Sequence, residues 1–501
     1  MALDNVGTYA LFSRILVLLT GTFFNNLMPD HKPDVFNPPS VHRAGAADTV
    51  VKFLFGGLRR WDGIYFMHIA EYGYTYENCL AFFPMFPLVV RIISYSVLYP
   101  LHFIMNVSSV LLLSAVIVNL YCFVKSAKIL HELGKEVTSN DKLAYKAVLL
   151  YCVNPASIFF SAPYSESMFA MFLFMGMLHC EKRSRLKASY YFGFATLTRS
   201  NGIVAIGFIL YFSCKNLFTS VISFRQNTKG SDVKTRWIGL SSLLFFLGIP
   251  MLLCVIICLA PFAAYQYYAF SKFCDMTSTA RNLPTHISSY GIERHYKMTD
   301  GSRSLWCFAR LPLSYSYVQS SHWGVGFLEY YQIKQIPNFA LAAPMIILST
   351  CAIVTYVKRR TKYCIRLGLY EPEVDMKKND DAPRAHTEFF ADSCFVHVCY
   401  MAALLVVGML FMHVQVITRF VASSCPVLYW YVATLTSSES CLSTNQHNKY
   451  QIFPKTTQED SEVSDLIEWN NQSLSNKLIN IYFLLYFFVG TAAFTNFLPW
   501  T

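Results

Sequence analysis

The middle of the chain reads Ser241-Ser-Leu-Leu-Phe-Phe-Leu-Gly-Ile-Pro-Met-Leu-Leu-Cys-Val-Ile-Ile-Cys-Leu-Ala260, twenty residues without a charged side chain. A helix needs roughly 20 apolar residues to cross the hydrocarbon of a bilayer, so this stretch predicts a membrane span. The composition agrees, because only 14% of the 501 residues are charged, against about 25% in soluble globular proteins. The sequence therefore predicts an all-α integral membrane protein.

Apolar blocks of comparable length recur along the chain. We predict about eleven membrane helices in one integral membrane domain, residues 1–501. The first, Thr8–Leu27, is expected to stay uncleaved, because no basic segment and no small-residue cleavage site accompany it. The predicted spans are 8–27, 103–124, 144–161, 164–180, 188–203, 205–221, 238–263, 337–357, 394–412, 416–435 and 478–498.

The short loops between these spans predict the side of the membrane that each end faces. Glu181–Lys187 carries four basic residues, whereas Asn154–Glu166, at the other end of the same hairpin, carries none. Lys and Arg accumulate in cytoplasmic loops, so the first of these loops is predicted to be cytoplasmic. Following the chain from there gives cytoplasmic loops at 358–393 and 436–477 and long lumenal loops at 28–102 and 264–336.

The net charge of +11 arises largely from these basic loops. No nucleic-acid recognition motif accompanies the charge, so we expect no nucleic-acid partner. The 15 cysteines are scattered, many within apolar blocks, where a thiol acts as a small hydrophobic group. Cys274 and Cys307 share one predicted lumenal loop, and both a disulfide and two free thiols remain open.

Five groups of polar residues fall on the predicted lumenal side or at the lumenal ends of spans. Ionisable residues at membrane depth are costly and mark functional sites, so we expect the groups to meet in one cavity. They are Arg59-Arg60-Trp61-Asp62 with His68 and Glu71; Tyr164-Ser165-Glu166; Arg199-Ser200-Asn201-Gly202; Trp323-Gly324-Val325-Gly326; and His413-Val414-Gln415 with Arg419.

Asp62 is the first candidate for catalysis. The apolar residues between Trp61 and Glu71 have helical spacing and predict an amphipathic helix at the membrane interface, with Asp62 at its start. A carboxylate in that place also caps a helix, so capping remains the alternative to catalysis. Glu71 and His68 are likewise either functional or solvated residues of the interface.

Arg199 and Arg419 are the candidates for binding an anion. Both lie in apolar surroundings, and a guanidinium group suits phosphate because it donates two parallel hydrogen bonds. A phosphate carried by a lipid would approach them from the membrane. The alternative is a structural ion pair, such as Arg199 with Glu166.

These features together fit a membrane enzyme that moves a sugar from a lipid phosphate. Such an enzyme needs a carboxylate base near the acceptor hydroxyl, cations that hold the leaving phosphate and an apolar groove. Phe82-Phe83-Pro84-Met85-Phe86-Pro87 is predicted to form a re-entrant or interfacial turn that contributes a wall of the groove, although packing explains it equally well. The alternatives are a transporter or lipid flippase, which would show internal repeats that are not found here, and a non-catalytic subunit of a glycosylation complex.

The chain also resembles the GPI mannosyltransferase 2 family over nearly its whole length. The stretches that carry the resemblance are Trp61-Asp62, Phe82-Phe83-Pro84-Met85-Phe86-Pro87, Asn154-Pro155, Tyr164-Ser165-Glu166, Arg199-Ser200-Asn201-Gly202, Trp323-Gly324-Val325-Gly326-Phe327, Gln335-Ile336-Pro337-Asn338-Phe339, His413-Val414-Gln415-Val416-Ile417-Thr418-Arg419 and Phe497-Leu498-Pro499-Trp500-Thr501.

The resemblance implies a GT-C-type glycosyltransferase of the endoplasmic reticulum membrane, with its active site in the lumen. Its donor would be dolichyl-phosphate-mannose and its acceptor a mannosylated GPI lipid intermediate, which receives a second, α-1,6-linked mannose. The donor linkage is β and the product α, so one inverting displacement is implied. No cofactor is expected, and the partners would be these substrates, the lipids of the membrane and a small membrane protein.

The resemblance assigns Asp62 as the base and brings Glu71 into contention as the second carboxylate. Related enzymes often carry an Asp-x-Asp pair, but Gly63 and Ile64 follow Asp62 here, which weakens the case for a divalent metal and leaves metal dependence open. The predicted substrate-binding residues are Arg60, Trp61, His68, Tyr164, Glu166, Arg199, Asn201, Trp323, His413, Gln415 and Arg419.

Overall fold

The computed structural model describes residues 2–31, 34–41, 43–230, 232–275, 283–299, 303–369, 389–437 and 473–500. These residues form helices and loops without a named strand; Tyr76 and Met298 make one isolated antiparallel bridge. The α-helices are α1 Ala2–Leu27, α2 Ala46–Phe55, α3 Asp62–Tyr72, α4 Met85–Tyr95, α5 Val107–Thr138, α6 Asp141–Cys152, α7 Glu166–Glu181, α8 Arg185–Thr198, α9 Ile206–Asn227, α10 Val233–Phe273, α11 Thr285–Glu293, α12 Ser314–Trp323, α13 Ile336–Arg359, α14 Thr361–Ile365, α15 Cys394–Phe411, α16 Ile417–Ser424, α17 Pro426–Ser437 and α18 Leu474–Thr495.

Seven of the described helices are long and apolar enough to cross a membrane, which confirms the all-α polytopic class. An eighth span results if α16 and α17, bent by 83° at their junction, are taken as one. The seven are Asn5–Leu27, Val107–Thr138, Ser200–Asn227, Val233–Phe273, Ile333–Arg359, Cys394–Phe411 and Leu474–Thr495.

Three of the eleven predicted spans fall on shorter helices. α6, α7 and α8 have 12, 16 and 14 residues, so at 1.5 Å per residue they reach about 18 to 24 Å, short of the roughly 30 Å of hydrocarbon. Each stops where the chain turns at a polar motif. α7 is buried along most of its length and lies at the centre of the protein between α5 and α8.

The turn between α6 and α7 is held by Arg14, which is not among the residues predicted from the sequence. Arg14 lies in α1 with only 1% of its surface exposed. Its guanidinium donates hydrogen bonds to the carbonyl oxygens of Cys152, at 2.9 Å, and Ser157, at 2.7 Å. Asn119 of α5 binds the other end of the turn by donating to the carbonyl oxygen of Tyr164 at 3.0 Å. These bonds fix the start of α7.

The first long loop carries amphipathic helices, as predicted, but they are α2 and α4. α2 buries Val51 while Val50 and Phe53 are exposed, and α4 buries Phe86 while Leu88 is exposed. Helix α3, predicted to lie at the interface, is instead buried on most sides, because α4 and α5 pack against it and rings of the second long loop contact Tyr65 and Tyr72.

The two long loops pack against each other and therefore lie on the same side of the protein. The buried Glu77 carboxylate of the first loop accepts hydrogen bonds from Ser304 and from Trp306 Nε1, the latter at 2.8 Å. A disulfide joins Cys274 to Cys307 within the second loop, which settles the alternative left open above. Of the predicted cytoplasmic loops, residues 370–388 and 438–472 lie outside the described residues.

Candidate active site

A cavity of about 600 Å³ lies where the two long loops meet the ends of α7, α8, α15 and α16. One part of its wall is polar and the remainder is aromatic and aliphatic. The polar lining is Asp62, Ser165, Thr198, Arg199, Ser200, Asn201, Ser316, Gln319, His413 and Arg419. The aromatic lining is Phe66, Phe82, Phe83, Tyr164, Phe262, Tyr315, Trp323, Phe411 and Phe420. Residues from all five predicted polar groups thus line one cavity.

Asp62 presents its carboxylate at the start of α3. The preceding residue, Trp61, has a φ of 51°, a left-handed conformation that is strained for a bulky side chain. The Asp62 backbone N–H donates to the Tyr164 hydroxyl at 3.0 Å, and the carboxylate accepts a hydrogen bond from Arg419 Nη1 at 2.9 Å. The N-cap position of α3 belongs to Trp61, so the capping alternative for Asp62 is not what the structure shows.

Two arginines and two carboxylates form a chain of ion pairs, of which Asp62, Arg199 and Arg419 line the cavity. Arg199 forms an ion pair with Glu166, and Arg419 Nη1 lies 3.9 Å from the same Glu166 carboxylate and 2.9 Å from Asp62. We call these four residues the charge quartet. Glu166 is fully buried, while 28% of the Asp62 side chain is exposed. The pair of Arg199 with Glu166, predicted as an alternative, is therefore present; Arg199 lines the cavity, whereas Glu166 is buried behind the lining.

The aromatic rings under the guanidinium groups fix their orientation. Arg419 lies over the rings of Phe159 and Tyr164 at 5.2 and 5.6 Å, within the range of a cation–π interaction. Arg199 sits where α8 ends and the chain enters a 3-10 turn, Ser200–Ala205. This turn brings both Arg199 and Asn201 to the cavity.

His413 and Trp323 form a further part of the wall. His413 Nε2 donates to the carbonyl oxygen of Trp323 at 2.7 Å, and the His413 ring stacks on Tyr330 at 4.6 Å. Burial lowers the pKa of His413, so the ring is neutral at pH 7. Gln415 does not line the cavity, and its side chain accepts a hydrogen bond from the Tyr330 hydroxyl.

The remaining predicted residues of the first group lie outside the cavity lining. Arg60 forms an ion pair with Asp30 at 2.9 Å, and Trp61 contacts Phe497 edge to face. Glu71 and His68 line a separate small cleft. Burial lowers the pKa of His68 to about 3, so this imidazole is neutral as well.

Several lining residues were not identified from the sequence. The Tyr315 hydroxyl accepts a hydrogen bond from Ser200 at 2.6 Å, and Phe262 of α10 packs beside Phe83. Each is one aromatic residue among many in an aromatic-rich chain, so no local signal marks it. Within the described residues, no group of three or more His, Cys, Asp and Glu gathers as metal ligands do.

The mannosyltransferase (PIG-V) family matches residues 3–501 of the chain. The chain belongs to this family. GPI alpha-1,6-mannosyltransferase 2 of Homo sapiens is 36% identical over 504 residues, which are 98% of this chain and 97% of the relative. GPI mannosyltransferase 2 of Drosophila melanogaster is 34% identical over 507 residues, 99% and 100% of the two chains.

Among solved structures, the oligosaccharyltransferase AglB of Archaeoglobus fulgidus, in complex with an inhibitory peptide and a dolichol-phosphate, matches 98% of this chain and 56% of its own. The TM-score of this match is 0.42 and the identity 10%. Family membership does confirm the prediction of a glycosyltransferase, and neither a transporter nor a non-catalytic subunit is favoured.

Proposed function

We propose that this mannosyltransferase adds the second mannose, in α-1,6 linkage, to a GPI-anchor precursor, with dolichyl-phosphate-mannose as the donor. Its relatives are named GPI alpha-1,6-mannosyltransferase 2 and GPI mannosyltransferase 2, which supports this assignment of the product. The observation that carries the chemistry is the cavity itself, where a partly exposed carboxylate, Asp62, and two arginines line the same aromatic-walled space. The GT-C fold type remains part of the proposal.

In the proposed reaction, Asp62 is the base and the arginines hold the leaving group. The acceptor hydroxyl oxygen attacks C1 of the mannose from the face opposite the phosphate, and a new C1–O bond forms as the C1–O bond to phosphate breaks. The acceptor proton passes to the Asp62 carboxylate, and the electron pair of the broken bond stays on dolichyl phosphate. Arg199 and Arg419 stabilise the charge that develops there.

The other lining residues position the two substrates. Tyr164 holds the backbone of Asp62 through its hydroxyl. Asn201, Trp323 and the neutral His413 offer hydrogen bonds and a flat ring surface to a sugar, and the remaining aromatic wall suits the apolar lipid. Glu71 lies in the separate cleft and therefore takes no part in the proposed catalysis.

We further propose that the cavity faces the lumen of the endoplasmic reticulum. Disulfides form in that compartment and are rare in the cytosol, and the Cys274–Cys307 disulfide lies in one of the two long loops that form the cavity. The basic short loops support the same orientation, since they belong in the cytoplasm.

The proposal is tested by replacing Asp62 with asparagine, which nearly keeps its shape and removes the base. Microsomes from cells that lack the endogenous enzyme, supplied with full-length variant, are expected to transfer mannose about 100- to 10,000-fold more slowly, as typical when a general base is lost. The one-mannose GPI intermediate should accumulate. Asp34→Asn is the control, because Asp34 is 81% exposed and pairs with Arg294 on the loop surface.

Unchanged transfer by folded Asp62→Asn protein would show that Asp62 is not the base. Normal transfer of the second mannose in cells without this chain would overturn the proposed function as a whole.

A further inference from the structure

The guanidinium group of Arg419 pairs with both carboxylates of the charge quartet. Its Nη1 lies 2.9 Å from Asp62 and 3.9 Å from Glu166. Its Nε is buried and makes no hydrogen bond within the described part of the chain. The Arg419 side chain as a whole is 15% exposed and lines the cavity. A ligand in the cavity can therefore reach the exposed part of the guanidinium group.

The quartet holds two positive and two negative groups, so both arginines already have carboxylate partners. A phosphate that enters the cavity must therefore compete with a carboxylate for a guanidinium group. The two carboxylates differ in how easily they give up Arg419. Glu166 is fully buried at the first turn of α7, where the helix dipole stabilises negative charge. Asp62 is partly exposed to the cavity, so water can replace its lost partner.

We infer that donor binding exchanges the partner of Arg419 from Asp62 to the donor phosphate. Glu166 is then a positioning residue, which stays bound to both arginines and keeps their charges side by side. This inference rests on the proposed function. Its consequence is that Asp62 is neutralised by Arg419 while the cavity is empty and becomes an available base only when the donor is bound.

The exchange also matches the movement of charge during transfer. The carboxylate of Asp62 loses its negative charge when it takes the acceptor proton, and the leaving phosphate gains one negative charge when the C1–O bond breaks. Arg419 lies beside Asp62 and moves toward the group whose charge increases. The cation is thus paired with an anion at each stage.

The test measures the binding of dolichyl phosphate to the purified full-length protein. Asp62→Asn frees Arg419, so dolichyl phosphate is expected to bind about fivefold more tightly, the equivalent of a partly exposed ion pair. Glu166→Gln releases the two arginines from their common partner, so binding is expected to weaken about fivefold to tenfold. Simple charge repulsion predicts the opposite for Glu166→Gln, because removing any negative charge would then tighten binding.

Matched controls are available for both variants. Glu181 ends the same helix that Glu166 begins and is a partly buried carboxylate, 9% exposed and paired with His397 at 3.0 Å. Glu181→Gln therefore reproduces the loss of a paired, partly buried acid in α7 away from the cavity. Asp34→Asn is again the control for Asp62→Asn. Neither control should change the affinity by more than about twofold, and thermal unfolding in detergent verifies that each variant is folded.

If the Glu166→Gln protein does not fold, the effect of Asp62→Asn is measured instead in protein that already carries Arg419→Gln. Asp62→Asn then has no guanidinium to release, so the fivefold tightening should disappear; tightening that persists would overturn the exchange. The exchange would also be overturned if Asp62→Asn and Glu166→Gln both tightened or both weakened the binding of dolichyl phosphate, or if Asp62→Asn had no effect on it. Failure of the wild-type protein to bind dolichyl phosphate would instead refute the donor assignment of the proposed function.

Discussion

Replacing Gly202 with alanine would place a methyl group inside the backbone of α8. A Cβ atom built at Gly202 lies 2.6 Å from the carbonyl carbon of Ala195 and 2.6 Å from Cα of Thr196. Real Cβ contacts essentially never fall below 3.0 Å, and backbone atoms cannot rotate away as a side chain does. The turn Ser200–Ala205 must therefore move away from α8.

The displacement sets the expected magnitude of the effect. Ordinary carbon contacts are 3.5 to 4.0 Å, so the turn must shift by about 1 Å, and overpacking of this kind costs about 1 to 3 kcal/mol of stability. Arg199 and Asn201 belong to or adjoin this turn and line the cavity. A misplacement of 1 Å can lower an enzymatic rate by about 100-fold, so mannose transfer should fall by about that factor in protein that is still folded.

Gly207→Ala is the matched control, because it lies five residues along the same chain segment and a Cβ there meets no atom within 4 Å. Thermal unfolding in detergent measures stability, and mannose transfer by microsomes that carry equal amounts of each variant measures activity. Gly207→Ala should retain both. If Gly202→Ala also retained normal transfer and unfolding temperature, the close approach of this turn to α8 would be refuted.

Two further predictions concern residues outside the cavity. Arg14→Met should lower the free energy of unfolding by about 2 to 5 kcal/mol, because buried carbonyl groups of the turn before α7 lose their donors; unchanged thermal unfolding would contradict this role, and Arg14→Lys should recover only part of the loss. For Glu77, burial raises the pKa, but the interaction with His322, 3.9 Å away, and the hydrogen bonds from Ser304 and Trp306 outweigh it, so the pKa lies below the ordinary 4.5. Its stabilising effect is therefore fully present above pH 4.5 and is lost as the pH falls through the lowered pKa, so Glu77→Gln should be less stable than wild type by about 1 to 3 kcal/mol at pH 7. Unfolding scans from pH 7 to 3 should show this difference shrinking with acidification, and a constant difference would refute it.

The helices and the polar groups were predictable because both have strong local signals. An uncharged block of twenty residues and a lone arginine within an apolar segment can each be recognised without knowledge of the fold. Arg14 carries the same signal as Arg199, a charge within an apolar span, and was therefore equally predictable. The lengths of α6 and α8 were not predictable, since they depend on where the chain turns toward the cavity.

The pairing of charged residues was harder to predict from the sequence. Asp62 and Arg419 are 357 residues apart in the chain, so no spacing rule relates them. The position of Glu71, in contrast, follows from helix geometry. It is nine residues after Asp62, about two and a half turns at 3.6 residues per turn, and therefore lies on the opposite face of α3. Helical periodicity alone separates Glu71 from the face that presents Asp62.

We expect the length of helix α10 to make the enzyme sensitive to the thickness of its membrane. Its 41 residues extend about 60 Å, twice the hydrocarbon thickness of roughly 30 Å, so the angle at which α10 tilts sets the height of its end. That end, Phe273, precedes Cys274, whose disulfide to Cys307 anchors the chain leading into α12 and Trp323. A thicker bilayer favours a more upright helix and raises this anchor. Hydrophobic mismatch is thereby coupled to the shape of the cavity wall.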